Sequence, residues 1–203
     1  MIRTIIFDFG AIFINLDKMG FLQKFLETTK INSFDEKMIL KNQLYEQGLI
    51  STEEFLDFYT EKFPFLSKAK IVDLWNSMLL DFPKSRFDFI KKLSDKNQYK
   101  VILLSNTNEL HISWIQKHVP FYEDFKAQFD AFYLSHEIHL RKPNHDIYKF
   151  VLQENELNAS ECLFIDDTKE NTEAARDLGI QVWNLDEKKE EVTQLFDIKK
   201  DLF

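Results

Sequence analysis

Two apolar runs that each stop at a carboxylate constrain this chain more than any other feature. Ile5-Ile6-Phe7 ends at Asp8, and Cys162-Leu163-Phe164-Ile165 ends at Asp166-Asp167. Short apolar runs without alternation read as strands buried on both faces, the pattern of a parallel sheet. Asp8 and the Asp166-Asp167 pair then stand at the carboxyl ends of strands, where open α/β sheets place their ligand crevices. Carboxylates in such positions are costly unless something cationic neutralises them, and a divalent metal would do so.

Three more runs complete the set of predicted strands: Tyr99 to Leu104, Ala131 to Leu134 and Ile180 to Trp183, with the first taken as Ile2 to Phe7. Lys84 to Asp95, Leu110 to His118, His145 to Glu154 and Asn171 to Leu178 have helical period and the length of crossovers. Gly179 follows the last of them, where a C-cap glycine belongs. Alternating strands and helices predict an α/β fold with a doubly wound parallel five-stranded core sheet.

The gap between the first and second strands breaks the alternation. It is far longer than one crossover needs, and it contains no strand pattern. Phe21, Leu22, Phe25 and Leu26 keep helical spacing, as do Met38, Leu40, Leu44 and Tyr45, then Phe55, Leu56, Phe58 and Tyr59. Ser51-Thr52-Glu53-Glu54 is a capping box opening the third group. The expectation is an all-helical cap inserted after the first strand, over residues 15–83, on an α/β core of residues 1–14 and 84–203.

With 203 residues there is room for one core and a small insertion. A net charge of -8 argues against a nucleic-acid partner, because nothing basic is in excess to meet phosphates. Asp8 interrupts the N-terminal apolar run, against a signal peptide, and no apolar stretch approaches the roughly 20 residues that span a bilayer. Cytoplasmic location and a monomeric state are the default expectations. The single Cys, Cys162, allows no intrachain disulfide and fits a core position, as do Trp75 and Trp114. The 21 Phe predict a Phe-rich core, and no glycine-rich nucleotide loop occurs. His111, His136 and His139 have no metal-ligand spacing with a Cys partner.

In the predicted sheet the strand ends bring together Asp8, Ser105-Asn106, Arg141-Lys142-Pro143 and Asp166-Asp167. In this order and on these elements they resemble the haloacid dehalogenase-like hydrolase superfamily, most of whose members are magnesium-dependent phosphatases. The resemblance spans the whole chain and is nearest the subgroup with a helical cap after the first motif. Leu104-Ser105-Asn106-Thr107-Asn108-Glu109-Leu110-His111, with Tyr133-Leu134-Ser135 and Arg141-Lys142-Pro143, is similar to bacterial α-D-glucose-1-phosphate phosphatases.

The resemblance implies that Asp8 attacks phosphorus and forms an aspartyl-phosphate, splitting one hard step into two. It implies Mg²⁺, a cation of oxygen ligands, held by Asp8, the Gly10 carbonyl and Asp167, with Asp166 in support. Ser105 and Asn106 would bind the transferring phosphoryl group, Lys142 would balance its charge, and Asn171 would orient the metal shell. The expected partner is a small phosphorylated metabolite, with α-D-glucose 1-phosphate leading. Asn42, Gln43, Tyr45 and Gln47 are polar candidates for reading the sugar.

One position departs from most of the family. A second Asp, two residues after the nucleophile, ordinarily protonates the leaving oxygen, and Gly10 stands there instead. General acid–base help is worth about 10²–10⁴-fold, so its loss slows turnover on poor leaving groups. Asp17 is one replacement to weigh against a simpler part as a helix cap. Two alternative functions share the fold: a metal-independent 2-haloacid dehalogenase, which needs no paired acids, and a non-catalytic binding or scaffold protein.

Overall fold

The first apolar run becomes β1 (Thr4–Phe7), buried at every residue. The computed structural model describes residues Met1–Phe203. After β1 come α1 (Lys18–Thr29), α2 (Glu36–Glu46), α3 (Thr52–Lys62), α4 (Lys68–Asn76) and α5 (Lys84–Asp95). They are followed by β2 (Lys100–Ser105), α6 (Glu109–His118), α7 (Tyr122–Lys126), β3 (Ala131–Leu134), α8 (Ser135–Ile138) and α9 (His145–Glu154). The chain ends with β4 (Cys162–Asp166), α10 (Lys169–Asp177), β5 (Gln181–Asn184) and α11 (Leu195–Ile198). The five strands form one sheet in the order β3-β2-β1-β4-β5. Every pairing is parallel, and Phe7 lies opposite both Leu103 and Ile165.

Side chains alternate across a strand, so the sheet buries two apolar layers. Ile5 and Phe7 face α5, α6 and α7, while Ile6 faces α9 and α10. The first layer holds the predicted concentration of Phe: Phe9, Phe13, Phe82 and Phe125 pack with centroids 4.9 to 6.2 Å apart.

The segment between β1 and β2 has a third apolar cluster of its own, built on Phe21, Phe25, Tyr45, Phe55, Tyr59 and Trp75. Four helices make it up where three apolar groups stood out in the sequence. The stripe of α4 is only Ile71, Leu74 and Trp75, about one turn, too short to register as a period. Ser51 and Glu54 do form the reciprocal capping box of α3. Two antiparallel linkers join these helices to the rest: Asn15 N–H donates to Asp81 O at 2.9 Å, and Asp17 N–H to Met78 O at 2.8 Å.

Glycine is required at one contact between the two parts. Gly48, at φ +62°, lies against the carbonyl of His136, and a Cβ there would come within 2.0 Å of that oxygen. Beside it, Ser135 Oγ donates to Glu46 O and His139 Nδ1 donates to Gln47 O. The C-terminus of α2 is thereby pinned to α8.

Phe125 is fully buried at the centre of the aromatic layer, stacked on Phe9 at 5.3 Å. Phe125→Ala should cost about 3–5 kcal/mol, because the surrounding rings are held by separate elements and close the hole poorly. Urea unfolding would show a lower midpoint with the slope unchanged. A loss below about 1 kcal/mol would mean that this layer repacks freely.

Candidate active site

The parallel sheet brings its carboxyl ends together, and a buried lysine occupies the meeting point. Lys142, on the loop after α8, is 1% exposed. Its Nζ lies 2.8 Å from Asp8 Oδ1 and 2.7 Å from Asp166 Oδ2. It also donates to Leu104 O at 2.9 Å. Burial alone would discharge the ammonium, but Asp166 and Asp8 outweigh it and hold its pKa above the usual lysine value.

Asp8 follows directly on β1, and its backbone N–H donates to Ile165 O at 2.9 Å. Burial pushes its carboxyl up, from 3.8 to about 7, against the opposing pull of Lys142. Asp166 is wholly buried and fully engaged. Besides Lys142 it accepts from Asn171 Nδ2 at 3.0 and 3.1 Å and from Thr168 N–H at 2.8 Å. Asp167 is partly exposed and pairs with Lys18 Nζ at 2.5 Å, a cation carried by α1. One oxygen from each of Asp8, Asp166 and Asp167 falls within 4.8 Å of the others. This set of hard oxygen donors fits a small divalent cation of the magnesium type. Fully ionised, it holds three negative charges, and Lys142 and Lys18 leave one of them in excess.

Ser105 closes β2 and is 2% exposed beside this cluster. The Asn106 side chain is engaged with the backbone of Lys142 on both sides: Nδ2 donates to Lys142 O, and Oδ1 accepts from Lys142 N–H, each at 2.9 Å. Asn106 therefore fixes the lysine loop, and its second Nδ2–H and its backbone are left to meet a bound anion. Asn108, rather than Ser105 or Asn106, caps α6, accepting from His111 N–H at 3.1 Å.

A cavity of about 550 Å³ opens over these residues. Asp8, Gly10, Ser105, Asn106, Lys142, Asp167 and Asn171 line its floor, and Lys18, Asn42, Glu46, Trp75 and Met78 face them from the helical segment. Its size is within the range of metabolite pockets.

Asp17 is not among the lining residues. Its carboxylate accepts from Gly20 N–H at 2.8 Å and caps α1, so the simpler reading of that residue holds. Of the polar candidates for the cap, only Asn42 reaches the cavity. Tyr45 is turned away, bonded to Thr52 Oγ1 and accepting from Leu110 N–H.

Glu46, Lys18 and His111 line the cavity although the sequence reading gave them no part in the site. Glu46 is four residues after Asn42 and therefore on the same helix face, a spacing that was available as a signal. Lys18 and His111 carried none. His111 is enclosed and stacked on Trp75 at 6.1 Å, and burial pushes its pKa down to about 4, so it is neutral. Trp75 is a core residue, as expected, but it is also part of the cavity wall. The thiol of Cys162 is buried, and burial raises it to about 11, which leaves it unreactive.

Known proteins resemble this chain along nearly its whole length. A D-ribitol-5-phosphate phosphatase of Bacteroides thetaiotaomicron is 26% identical over 200 residues, covering 90% of this chain and 91% of that one. The crystal structure of a HAD family enzyme of the same organism in complex with magnesium superposes with a TM-score of 0.84 at 33% identity, covering 96% and 98% of the two chains. A HAD-like hydrolase of Porphyromonas gingivalis gives a TM-score of 0.84 at 27% identity, covering 100% and 98%. No helix here is long and apolar enough to cross a membrane. Residues 16–179 match the haloacid dehalogenase-like hydrolases, and the chain belongs to that family.

Proposed function

We propose that this hydrolase is a magnesium-dependent phosphomonoesterase of a small sugar or polyol phosphate, working through an aspartyl-phosphate on Asp8. The observation that carries the reading is the gathering of Asp8, Asp166 and Asp167 around a buried Lys142 on the floor of a metabolite-sized cavity. The similarity to a D-ribitol-5-phosphate phosphatase and to a magnesium-bound HAD enzyme supports it. D-ribitol 5-phosphate and α-D-glucose 1-phosphate are the substrates to try first. A dehalogenase that attacks carbon without metal has no use for the three-carboxylate cluster.

In this reading Asp8, Asp167 and the carbonyl of Gly10 hold Mg²⁺, with Asp166 in support. The ion supplies positive charge at the reacting phosphoryl group. Asp8 attacks phosphorus, the ester P–O bond breaks, and the leaving oxygen takes a proton from water. Water then attacks the aspartyl-phosphate, releasing inorganic phosphate and restoring the Asp8 carboxylate. Lys142 opposes the protonation that burial favours at Asp8 and offsets the phosphoryl charge. Ser105 and the backbone N–H groups after it bind phosphoryl oxygens. Asn171 fixes Asp166, which in turn fixes Lys142. Residues 15–83 act as a cap that shields the reaction from water, over a core of residues 1–14 and 84–203.

Phosphate release from a panel of sugar and polyol phosphates should require Mg²⁺ and disappear with EDTA. Asp8→Asn should lower it by roughly 10³-fold or more, because the nucleophile is gone while the fold remains. Metal-independent release, or full activity in the variant, would rule out the mechanism.

Metal binding should also depend on pH in a definite direction. In the folded metal-free protein Asp8 holds a proton up to about pH 7, whereas unfolded it loses it near 3.8. The folded state therefore binds more protons between those values, and its stability falls as pH rises through them. Mg²⁺ must displace that proton, so it competes better at high pH. The rise in melting temperature on adding Mg²⁺ should be larger at pH 8 than at pH 5.5. An equal or reversed shift would show that Asp8 is not a ligand.

A further inference from the structure

The cap side of the cavity has a feature the chemistry on the floor does not use. Asn42 and Glu46 project from one face of α2, four residues apart, and both line the cavity. Glu46 pairs with Arg141, another lining residue, whose Nε and Nη2 donate at 3.3 and 3.1 Å. Both bonds fall on Oε2, leaving Glu46 Oε1 and Arg141 Nη1 without protein partners. Asn42 Oδ1 accepts from Tyr59 O–H at 2.7 Å, which orients the amide and leaves its Nδ2 unpaired. Donor and acceptor atoms thus alternate along one wall.

That wall is rigid. The backbone of Glu46 is held by Ser135 and that of Gln47 by His139, while Tyr45 bonds Leu110 N–H. Arg141 directly precedes Lys142, whose backbone Asn106 clamps on both sides. Preorganised polar atoms on fixed elements are what a specificity contact needs. The charges of the wall cancel in the Glu46–Arg141 pair, and Lys18 is already bound to Asp167. The wall therefore offers hydrogen bonds and no spare positive charge for a second phosphate.

We infer that Asn42, Glu46 and Arg141 form the specificity site, reading neighbouring hydroxyls on the uncharged polyhydroxylated part of a monophosphate and disfavouring bisphosphates. The inference rests on the phosphatase reading above and deepens it. A vicinal diol offers one hydroxyl to donate to a carboxylate oxygen and another to accept from a guanidinium N–H. A site built to bond hydroxyls discriminates strongly against analogues lacking them, because its own polar groups are then left unpaired.

The test compares kcat/KM for D-ribitol 5-phosphate and α-D-glucose 1-phosphate with that for phenyl phosphate, which has no hydroxyls. Two isosteric variants keep the structural bonds. Glu46→Gln retains an acceptor for Arg141, and Asn42→Asp retains the acceptor for Tyr59 while removing the free donor. Each should lower the ratio of polyol-phosphate to phenyl-phosphate kcat/KM at least tenfold, mainly through KM, with melting temperatures near that of the parent. Wild type should also prefer the monophosphates over fructose 1,6-bisphosphate. If both activities fall together, or the ratio moves less than threefold, the assignment fails while the phosphatase reading stands. A preference for the bisphosphate also overturns it. If wild type releases phosphate from none of these esters with Mg²⁺, the phosphatase reading falls, and this inference with it.

Discussion

Almost everything in the active-site half of this protein hangs on the ammonium of Lys142. It bridges Asp8 and Asp166 at 2.8 and 2.7 Å while itself almost wholly buried. Through those carboxylates and Leu104 O it ties the carboxyl ends of β1, β4 and β2 to the loop after α8. Two buried charges gain little net stability over apolar packing, but removing one partner strands the other at a cost of several kcal/mol. Such an arrangement is weak as cement and strong as a specifier of geometry. It fixes Asp8 and leaves the ionised cluster one negative charge in excess, which a proton on Asp8 or a further cation balances.

The sequence made the core legible and the cap only partly so, for a physical reason. Five strands buried on both faces are continuous apolar runs, and the carboxylates that end them interrupt the pattern sharply. Asp8, Ser105 and Asp166 could therefore be placed at strand ends before any coordinates, whereas Lys142 follows α8, a short helix that the apolar pattern did not announce. Cap helices pack on one stripe each, and α4 contributes just one turn of it, Ile71, Leu74 and Trp75. Its wall over the cavity depends on how four helices turn relative to the core, which no local pattern encodes. Glu46 and Lys18 look like solvated charges in the sequence. Asn106 shows another limit: its position suggested a phosphate ligand, and nothing local announced that its side chain also braces the backbone of Lys142.

The two halves divide the physical work. The floor is charged, buried and cross-braced, suited to holding a reacting phosphoryl group in one geometry. The cap side is compensated and hydrogen-bonding, on a scaffold of stacked aromatic rings such as Tyr45 on Phe55 at 4.2 Å. The aromatic cluster supplies the burial that keeps four short helices together, and the paired linkers at residues 15–17 and 78–81 join it to the core. Because α2 is anchored to α8 at Gly48, the cap presents its wall from a fixed point.

Gly10 follows from the same division. An added Cβ there would come within 2.8 Å of Leu16 Cδ1, so an apolar side chain from the linker fills the space beside the position. Asp17, the nearest acid downstream, is held by Gly20 N–H as a helix cap. Asp166 is saturated by Lys142, Asn171 and Thr168, and Asp167 is drawn to Lys18. In the proposed mechanism, none of these carboxylates is therefore left to donate a proton to the leaving oxygen. Bond breaking has to be helped by charge and position instead, the two means that carry most of phosphoryl transfer in any case. A site of that kind works best on esters whose alkoxide is already stabilised, by neighbouring hydroxyls or by an anomeric carbon. The polar wall of the cap then matters for more than recognition, since holding a hydroxyl-rich leaving group in place keeps those stabilising groups where the bond breaks.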